Sequence, residues 1–539
     1  MFKTRTVLLA ATSALVLAAS HARADEYTDL LDILKAKGSL SQSEYRSLMA
    51  KHMHNMRHHR GLGEMAPSEE ETGASTAAAQ AAASAAAAQA AARQMQDEMS
   101  KTEAMMAAPD IVHAMPYKPG AGVTLKVGDV DLNISGIVNA FYTFSDGGSN
   151  NTHSAVAGGL TEATGFDSSS VRNGLLPGAL IISAATQQDG IDLTAVFGMY
   201  PGINNSAVGS LNANNGGNAT ALGTTGIDFR KTYLTAGTPT FGTIKLGRDI
   251  GLFGQDAILN DQTLLGVGAS GGNADPGNTS LGRIGYGYIY TDWLPQITYI
   301  SPKFAGLQGS LGIMTPFNGE PLFTGYNDPT NPYGGGLSGE SPQHSSPMFQ
   351  GRLTYDYKSD LFSAHVWAGF VDQQLDDISH YNPLVGTITT HSKDGFAGEG
   401  GAVVTVGPVA VTGYYYKGSG VGTTGLFLDS IGANGETRDS EGGYIQGAVS
   451  VTPKVKVIGS YGESSLYEAS GEQAYWTALG EPGALATLVS RNESETGGVY
   501  YAVTPWLTAL GEYTHAESHS HGPYNSRANS VSVGAILFY

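Results

Sequence analysis

The sequence predicts an all-β transmembrane barrel of sixteen antiparallel strands in up-and-down order over residues 122–539, preceded by a periplasmic α-helical segment. Three observations predict it. From residue 122 onward, strand-like segments alternate with turn signals, and the connections themselves alternate between short and long. The segments are apolar on one face and polar on the other. The last of them, "SVSVGAILFY", is an apolar strand pattern running to Tyr539.

Composition sets the bounds. Of 539 residues 73 are glycine, tyrosine (27) outnumbers phenylalanine (17), and only 14% are charged. That mix suits strands with turn-rich connections. Cysteine is absent, which excludes a disulfide framework and thiolate metal or nucleophile chemistry. With 29 basic and 48 acidic side chains, nucleic acid is not an expected partner.

The N-terminus has the pattern of a secretory signal. Lys3 and Arg5 precede the apolar run "TVLLAATSALVLAA", and Ala22-Arg23-Ala24 forms an A-x-A cleavage site, giving a signal peptide over 1–24. The run falls short of the ~20 residues a membrane-spanning helix needs. No later stretch is long enough either, so a helical membrane protein is excluded and a barrel is not.

Residues 25–61 read as a helical hairpin. Tyr27, Leu30, Leu31, Ile33 and Leu34 form one apolar stripe that stops at Gly38, and Ser41 with Glu44 has capping-box spacing. His52, His54, His58 and His59 have the spacing of a transition-metal site. The plainer reading, adopted here, is a polar helix end, and no metal or other cofactor is expected. Residues 62–121 hold a linker and an alanine-rich stretch, read either as a self-associating helix or coiled coil, or as a partly disordered spacer.

Seven short turns are expected, at 186–190, 238–242, 301–306, 357–361, 405–409, 451–455 and 503–507. Eight long loops are expected near 145–174, 202–226, 249–290, 318–347, 375–395, 418–439, 464–494 and 519–526. Strict alternation of short turns and long loops is the pattern of an outer-membrane barrel with periplasmic turns and external loops. Fifteen connections that begin and end with a loop put both barrel ends, and the helical extension, on the periplasmic side. Within strands, Phe349, Leu353, Tyr355 and Tyr357 alternate with Gln350, Arg352, Thr354 and Asp356. Arg and Asp on the polar face suit a wet lumen. Lipid cannot hydrogen-bond a bare sheet edge, so the sheet must close. Gly351, Gly447 and Gly459 on the apolar face are read as points of close contact with neighbouring subunits.

The stretch "DFRKTYLTAGTPTFGTIKLGRDIGLFGQD" (228–256) resembles the Gram-negative general porins, with Arg230, Tyr233, Gly242, Ile244, Leu246, Gly247 and Arg248 in the family's pattern. "ITYISPKFAGLQGSLGI" (297–313) and the terminal aromatic are further echoes. The resemblance implies a homotrimer of sixteen-stranded barrels in outer-membrane lipid, each a passive channel for small hydrophilic solutes. It implies an inward-folded third loop whose acids, Asp249, Asp256, Asp261 and Asp275, face basic wall residues, Arg172, Arg230, Arg248 and Arg352. If Ile244 and Leu246 face lipid, alternation sends Arg248 outward too, so it reaches the lumen only through a bulge or a strand end at Gly247. Here the loop lacks the family's Pro-Glu-Phe-like core and reads "GVGASGGNADPG".

Residues 122–539 carry 17 basic and 35 acidic side chains, so mild cation preference is expected. "GYYYKG" (413–418) and "GRIGYGYIY" (282–290) keep open a sugar-selective pore with an aromatic track. A third reading is an envelope tether that contacts the periplasm or cell wall through residues 25–108. An enzyme is not expected: "HAESHSHG" (515–522) has no G-x-S-x-G elbow and is read as the start of the last external loop. Tyr539 and Leu537 belong to the lipid face of the closing strand, and the terminal aromatic resembles the signal read by outer-membrane assembly machinery. Ile536 and Phe538, apolar on the lumen side, are expected at the periplasmic rim against the first strand or the extension.

Overall fold

The computed structural model describes residues 46, 93–101, 112–117, 119–150, 156–161, 165–204, 227–274, 276–322, 337–382 and 385–539. The chain divides into two units, Met1–Thr102 and Glu103–Tyr539. In the first unit, residues 93–101 of the alanine-rich stretch are helical and exposed, and Arg46 is helical. The rest of the expected hairpin, the histidines at 52–59 and the linker lie outside the described residues.

The second unit is a closed sheet. Its barrel strands are β1 (Val130–Ser145), β2 (Ala179–Gln188), β3 (Ile191–Pro201), β4 (Ile227–Thr238), β5 (Gly242–Ile250), β6 (Trp293–Ile300), β7 (Leu307–Met314) and β8 (Met348–Lys358). They continue with β9 (Ser363–Leu375), β10 (Lys393–Val406), β11 (Val409–Ser419), β12 (Asp439–Ser450), β13 (Val455–Leu466), β14 (Val489–Ala502), β15 (Leu507–Ser520) and β16 (Asn525–Phe538). Each pairs antiparallel with the next, and β16 pairs with β1, giving a 16-stranded barrel. The seven short connections and eight long loops fall where the sequence placed them, because Gly, Pro, Asp and Thr mark the tight turns and strand length sets their spacing.

Side chains alternate as expected. Phe349, Leu353, Tyr355 and Tyr357 point outward and are exposed, while Gln350 and Thr354 are buried inside. Ile445 and Val449 face out against Gln446, and Val457 and Tyr461 face out against Ser460. Phe241, Tyr299, Phe304, Tyr355, Tyr357, Phe362, Tyr501 and Trp506 are exposed near the short-turn end. Tyr142, Tyr415, Tyr461 and Tyr513 are exposed toward the loop end. Two aromatic girdles flanking an aliphatic band are what lipid with two polar boundaries selects. The outward glycines differ from one another. Phe370 of β9 covers Gly351, where a Cβ would lie 2.2 Å from its ring. Gly447, Gly459 and Gly497 stand in register on β12, β13 and β14 with open space above them.

The seam joins Ser530–Phe538 of β16 to Ile137–Ser145 of β1. It continues one residue further: Tyr539 N donates to Gly136 O (3.1 Å) and Gly136 N to Tyr539 O (3.0 Å). The Tyr539 ring lies over Gly136, where a Cβ would come within 2.3 Å of it. The ring also neighbours Trp506, which in turn meets Tyr117 (5.7 Å between centroids). Leu537 stands opposite Val138 and Leu507. Ile536 corrects an expectation. It is buried inside the barrel in one cluster with Phe141 of the first strand, Val267 of the third loop, Ile458, Tyr500 and Leu510, and Phe538 packs against that cluster. Below the seam, β1 pairs with Val123–Val127, and that strand pairs with Val112–Ala114. Sheet structure attached to the barrel thus begins ahead of residue 122.

The external loops are packed. Arg438 and Glu472 form an ion pair with both side chains fully buried. The guanidinium also donates to Ser338 Oγ (2.9 Å) and Leu337 O (2.8 Å), tying the loops after β7, β11 and β13 together. Val156, Leu466, Trp476, Leu485 and Leu488 form a separate apolar cluster there. His515 and His519 are not in a loop. They lie in β15, on the outward face opposite its buried inner residues, and His519 Nε2 sits 3.1 Å from both Glu493 and Glu517.

Candidate functional site

The site is built by the loop between β5 and β6, residues 251–292, the longest connection of the barrel. It runs against inward-facing side chains, and its backbone polar groups find partners on the wall, as buried backbone must. Leu252 N and Phe253 N donate to Gln350 Oε1 of β8 (2.7 and 3.0 Å), and Gly254 N to Glu399 Oε2 of β10 (2.9 Å). A short helix, α1 (Gln255–Leu259), follows, and Tyr444 Oη of β12 donates to Ala257 O (2.7 Å). Further on, Tyr500 Oη of β14 donates to Gln262 O (3.0 Å). Val267 N and Gly268 N donate to Glu512 Oε2 of β15 (2.7 and 3.0 Å). Asn273 Nδ2 donates to Thr143 O of β1 (3.1 Å), and Gly287 N to Ser464 Oγ of β13 (3.0 Å). Between these anchors Phe253, Ala257, Ile258, Ile284, Tyr286 and Tyr288 pack on Trp367, Tyr414, Tyr416 and Tyr444, all buried.

The loop therefore covers inner faces of β8 and β10 and of β12–β15, and it reaches β1. Several inner side chains of β2–β5 stay half-buried, namely Ser183, Thr194, Lys231, Tyr233, Thr235 and Lys245, whereas Val196 and Asp249 are buried.

Among the expected charges, Asp256 and Arg352 come together in a two-pronged pair. Arg352 Nη2 donates to Asp256 Oδ1 (2.7 Å) and Arg352 Nε to Oδ2. His365 Nε2 lies 3.2 Å from Asp256 Oδ1, and His365 Nδ1 lies 2.6 Å from Asp356 Oδ1. Acid and base are thus in contact, and the pair fastens α1 to β8. Asp261 is buried and turned back into its own loop, accepting from Thr263 N and Oγ1 (both 2.8 Å) and Tyr288 Oη (2.9 Å). Burial pushes its carboxyl above the usual carboxylate range, against the pull of the Arg283 charge and those hydrogen bonds. Asp249 is not a loop residue. It ends β5 and pairs with Lys245 four residues back, so both point to the same side of the strand. Asp275 lies outside the described residues.

Arg172 is on a short strand that pairs with Phe141–Ser145 of β1 in the barrel sheet. It ends this strand, Ser168–Arg172 of the first loop, is fully buried, and donates to Gly272 O (2.5 Å) and Thr279 O (3.1 Å) of the third loop. Arg230 lies within the irregularity where β3 and β4 slip register, between Asp228 and Lys231. It bonds Asp228 (2.9 Å) and lies over the rings of Tyr200 and Trp293. Arg248 stands on the face opposite Lys245 and Asp249 and is half-buried after Gly247, which adopts φ +126°. No bulge or strand end brings Arg248 to the lumen: β5 stays in register with β4 and β6 there, Arg248 remains outward, and the bulge lies in β4 instead.

Lys231, Lys245, Lys456, Glu399 and Glu512 were not singled out from sequence. A signal existed: Lys245 alternates with outward Ile244 and Leu246, and Glu399 and Glu512 share parity with inward neighbours. The tyrosines of "GYYYKG" and "GRIGYGYIY" form no open track. Tyr414, Tyr416, Tyr286, Tyr288 and Tyr290 are buried, and Tyr415 points outward.

A family model described as Gram-negative porin matches residues 74–521. The chain belongs to the Gram-negative porin family. This porin is accordingly an outer-membrane β-barrel channel protein and not an enzyme. No curated protein matches it. Among solved structures it is similar to the outer-membrane channel DcaP of Acinetobacter baumannii, with 16% identity over 78% of this chain and 100% of that one, TM-score 0.50. It is also similar to the anion-selective porin of Comamonas acidovorans (12% identity, 76% and 100% covered, TM-score 0.47) and to OmpT of Vibrio cholerae (13%, 77% and 100%, 0.44). The likeness to DcaP speaks to the fold.

Proposed function

We propose that this porin forms a water-filled channel for passive diffusion of small hydrophilic solutes and ions, narrowed by the inward-folded third loop. The observation that carries the reading is the loop's ring of hydrogen bonds to Gln350, Glu399, Tyr444, Tyr500, Glu512 and Ser464, all inward-facing. A loop held by that many anchors on one side takes cross-section from the lumen and leaves passage along β2–β5. The burial of the tyrosines counts against a sugar-stacking track. Liposome swelling with sugars and amino acids of graded size tests the reading. Rates should fall smoothly with solute size. Rates set by sugar identity would favour a selective pore, and no swelling at all would overturn the channel.

The same proposal includes removal of residues 1–24 on export, assembly as a homotrimer, and a periplasmic extension over 25–121 whose helical part reaches the cell wall. Deleting residues 25–108 should leave conductance intact and weaken envelope attachment. Chemical cross-linking should trap three copies.

A further inference from the structure

We infer that this porin prefers anions, despite a formal net charge of −19. The inference rests on the channel reading and on where each charge lies relative to the passage. Two described acids of the third loop, Asp256 and Asp261, are turned away from the lumen. Asp256 is turned onto Arg352 and Asp261 into its own loop, and as whole residues they are exposed by only 3% and 4%. Glu399 and Glu512 point inward from the wall but are capped: Gly254 N and Tyr414 Oη donate to the first, and Val267 N, Gly268 N and Tyr500 Oη to the second.

The cations are disposed the other way. Lys231 and Lys245 lie on the half-buried wall of β4 and β5 that the loop leaves uncovered. Lys231 Nζ lies 5.7 Å from the Trp293 ring centre and has no carboxylate partner among the described residues. Lys456 of β13 is half-buried. Its Nζ donates to the neutral Gln262 Oε1 (3.1 Å) and sits over the Tyr500 ring. In two of the ion pairs the cation side chain is the more exposed member, with Lys245 at 14% against 6% for Asp249 and Arg352 at 17% against 4% for Asp256. Asp228, at 15% against 5% for Arg230, reverses that order.

Much of the surplus acid is elsewhere, and the exposed inner acid Asp356 is matched by Lys303 and His365. Glu463, Glu493, Glu495 and Glu517 lie on the outward face of β13–β15, among the partners of Tyr461 and His519. The barrel wall separates them from the lumen, and at physiological salt the screening length is about 8 Å. Net charge therefore says little about the passage, where exposed ammonium groups attract anions and repel cations.

The test is the reversal potential of the full-length protein in a planar bilayer under a KCl gradient. A chloride-to-potassium permeability ratio above one is expected. Lys231→Gln and Lys456→Gln together should lower it by about twofold or more, whereas Lys417→Gln, the same charge change on the outward face, should leave it unchanged. Both variants remove half-buried or exposed ammonium groups and should still insert with wild-type step size. A wild-type ratio below one, or a ratio unmoved by the lumen variants at normal conductance, overturns the inference and leaves the channel standing. Absence of any conductance in the wild type overturns the channel reading and this inference with it.

Discussion

Arg438 and Glu472 show how much a single buried pair carries. Both side chains are at 0% exposure, and the guanidinium reaches three loops. Removing one partner leaves a charge stranded without water, a cost of about 3–5 kcal/mol, whereas replacing both with apolar side chains costs far less. Arg438→Met alone should therefore raise protease cleavage of the external loops by two to three orders of magnitude or so. Arg438→Met with Glu472→Leu should restore most of the protection. Equal sensitivity of the single and double variants would contradict the account. Sequence could not show this pair, because 34 positions and two strands, β12 and β13, separate the partners and neither sits in a periodic pattern. The same holds for Arg172, whose partners are loop carbonyls 100 and 107 positions away.

At the scale of elements, strands were legible and loop contacts were not. A strand writes its two environments into alternate residues, so Phe349 to Tyr357 could be assigned to faces from sequence alone. The third loop has no such period, and its length showed only that it had somewhere to go. The glycines of "GVGASGGNADPG" let its backbone come close to the wall: a Cβ at Gly266 would lie 2.2 Å from Glu512 Oε1. Glu512 in turn accepts from two consecutive backbone N–H groups, and hydrogen bonds to a charged group contribute about 1.5–3 kcal/mol each. Glu512→Ala should loosen this part of the loop and add open-channel current noise, with the barrel still folded by its gel mobility. A quiet channel identical to wild type would show that the anchor at β15 is dispensable. Arg248 keeps to the alternation and faces outward with Leu246, although Gly247 before it takes a conformation that side-chained residues rarely adopt.

For the whole molecule, closure is the governing constraint, because an open edge in lipid would leave each unpaired backbone group several kcal/mol out of balance. The seam runs to the last residue, and Tyr539 seats its ring on Gly136. Gly136→Val should displace that ring and lower the yield of assembled barrel, as Tyr539→Ser should. Normal assembly of both variants would separate the terminal aromatic from closure. The strand number and the seam were readable from the sequence, because turn residues and an apolar end are local features. Which wall the third loop covers was not, since that is decided by contacts spanning up to 245 positions, as between Val267 and Glu512.

The central claim is that the third loop, held to the inner wall, sets the size of the passage. Single-channel recording tests it most directly, comparing the full-length protein with a variant lacking residues 256–285. The account predicts discrete unitary steps in both and a larger unitary conductance in the variant. Equal conductance, or no steps from correctly folded protein, would contradict it.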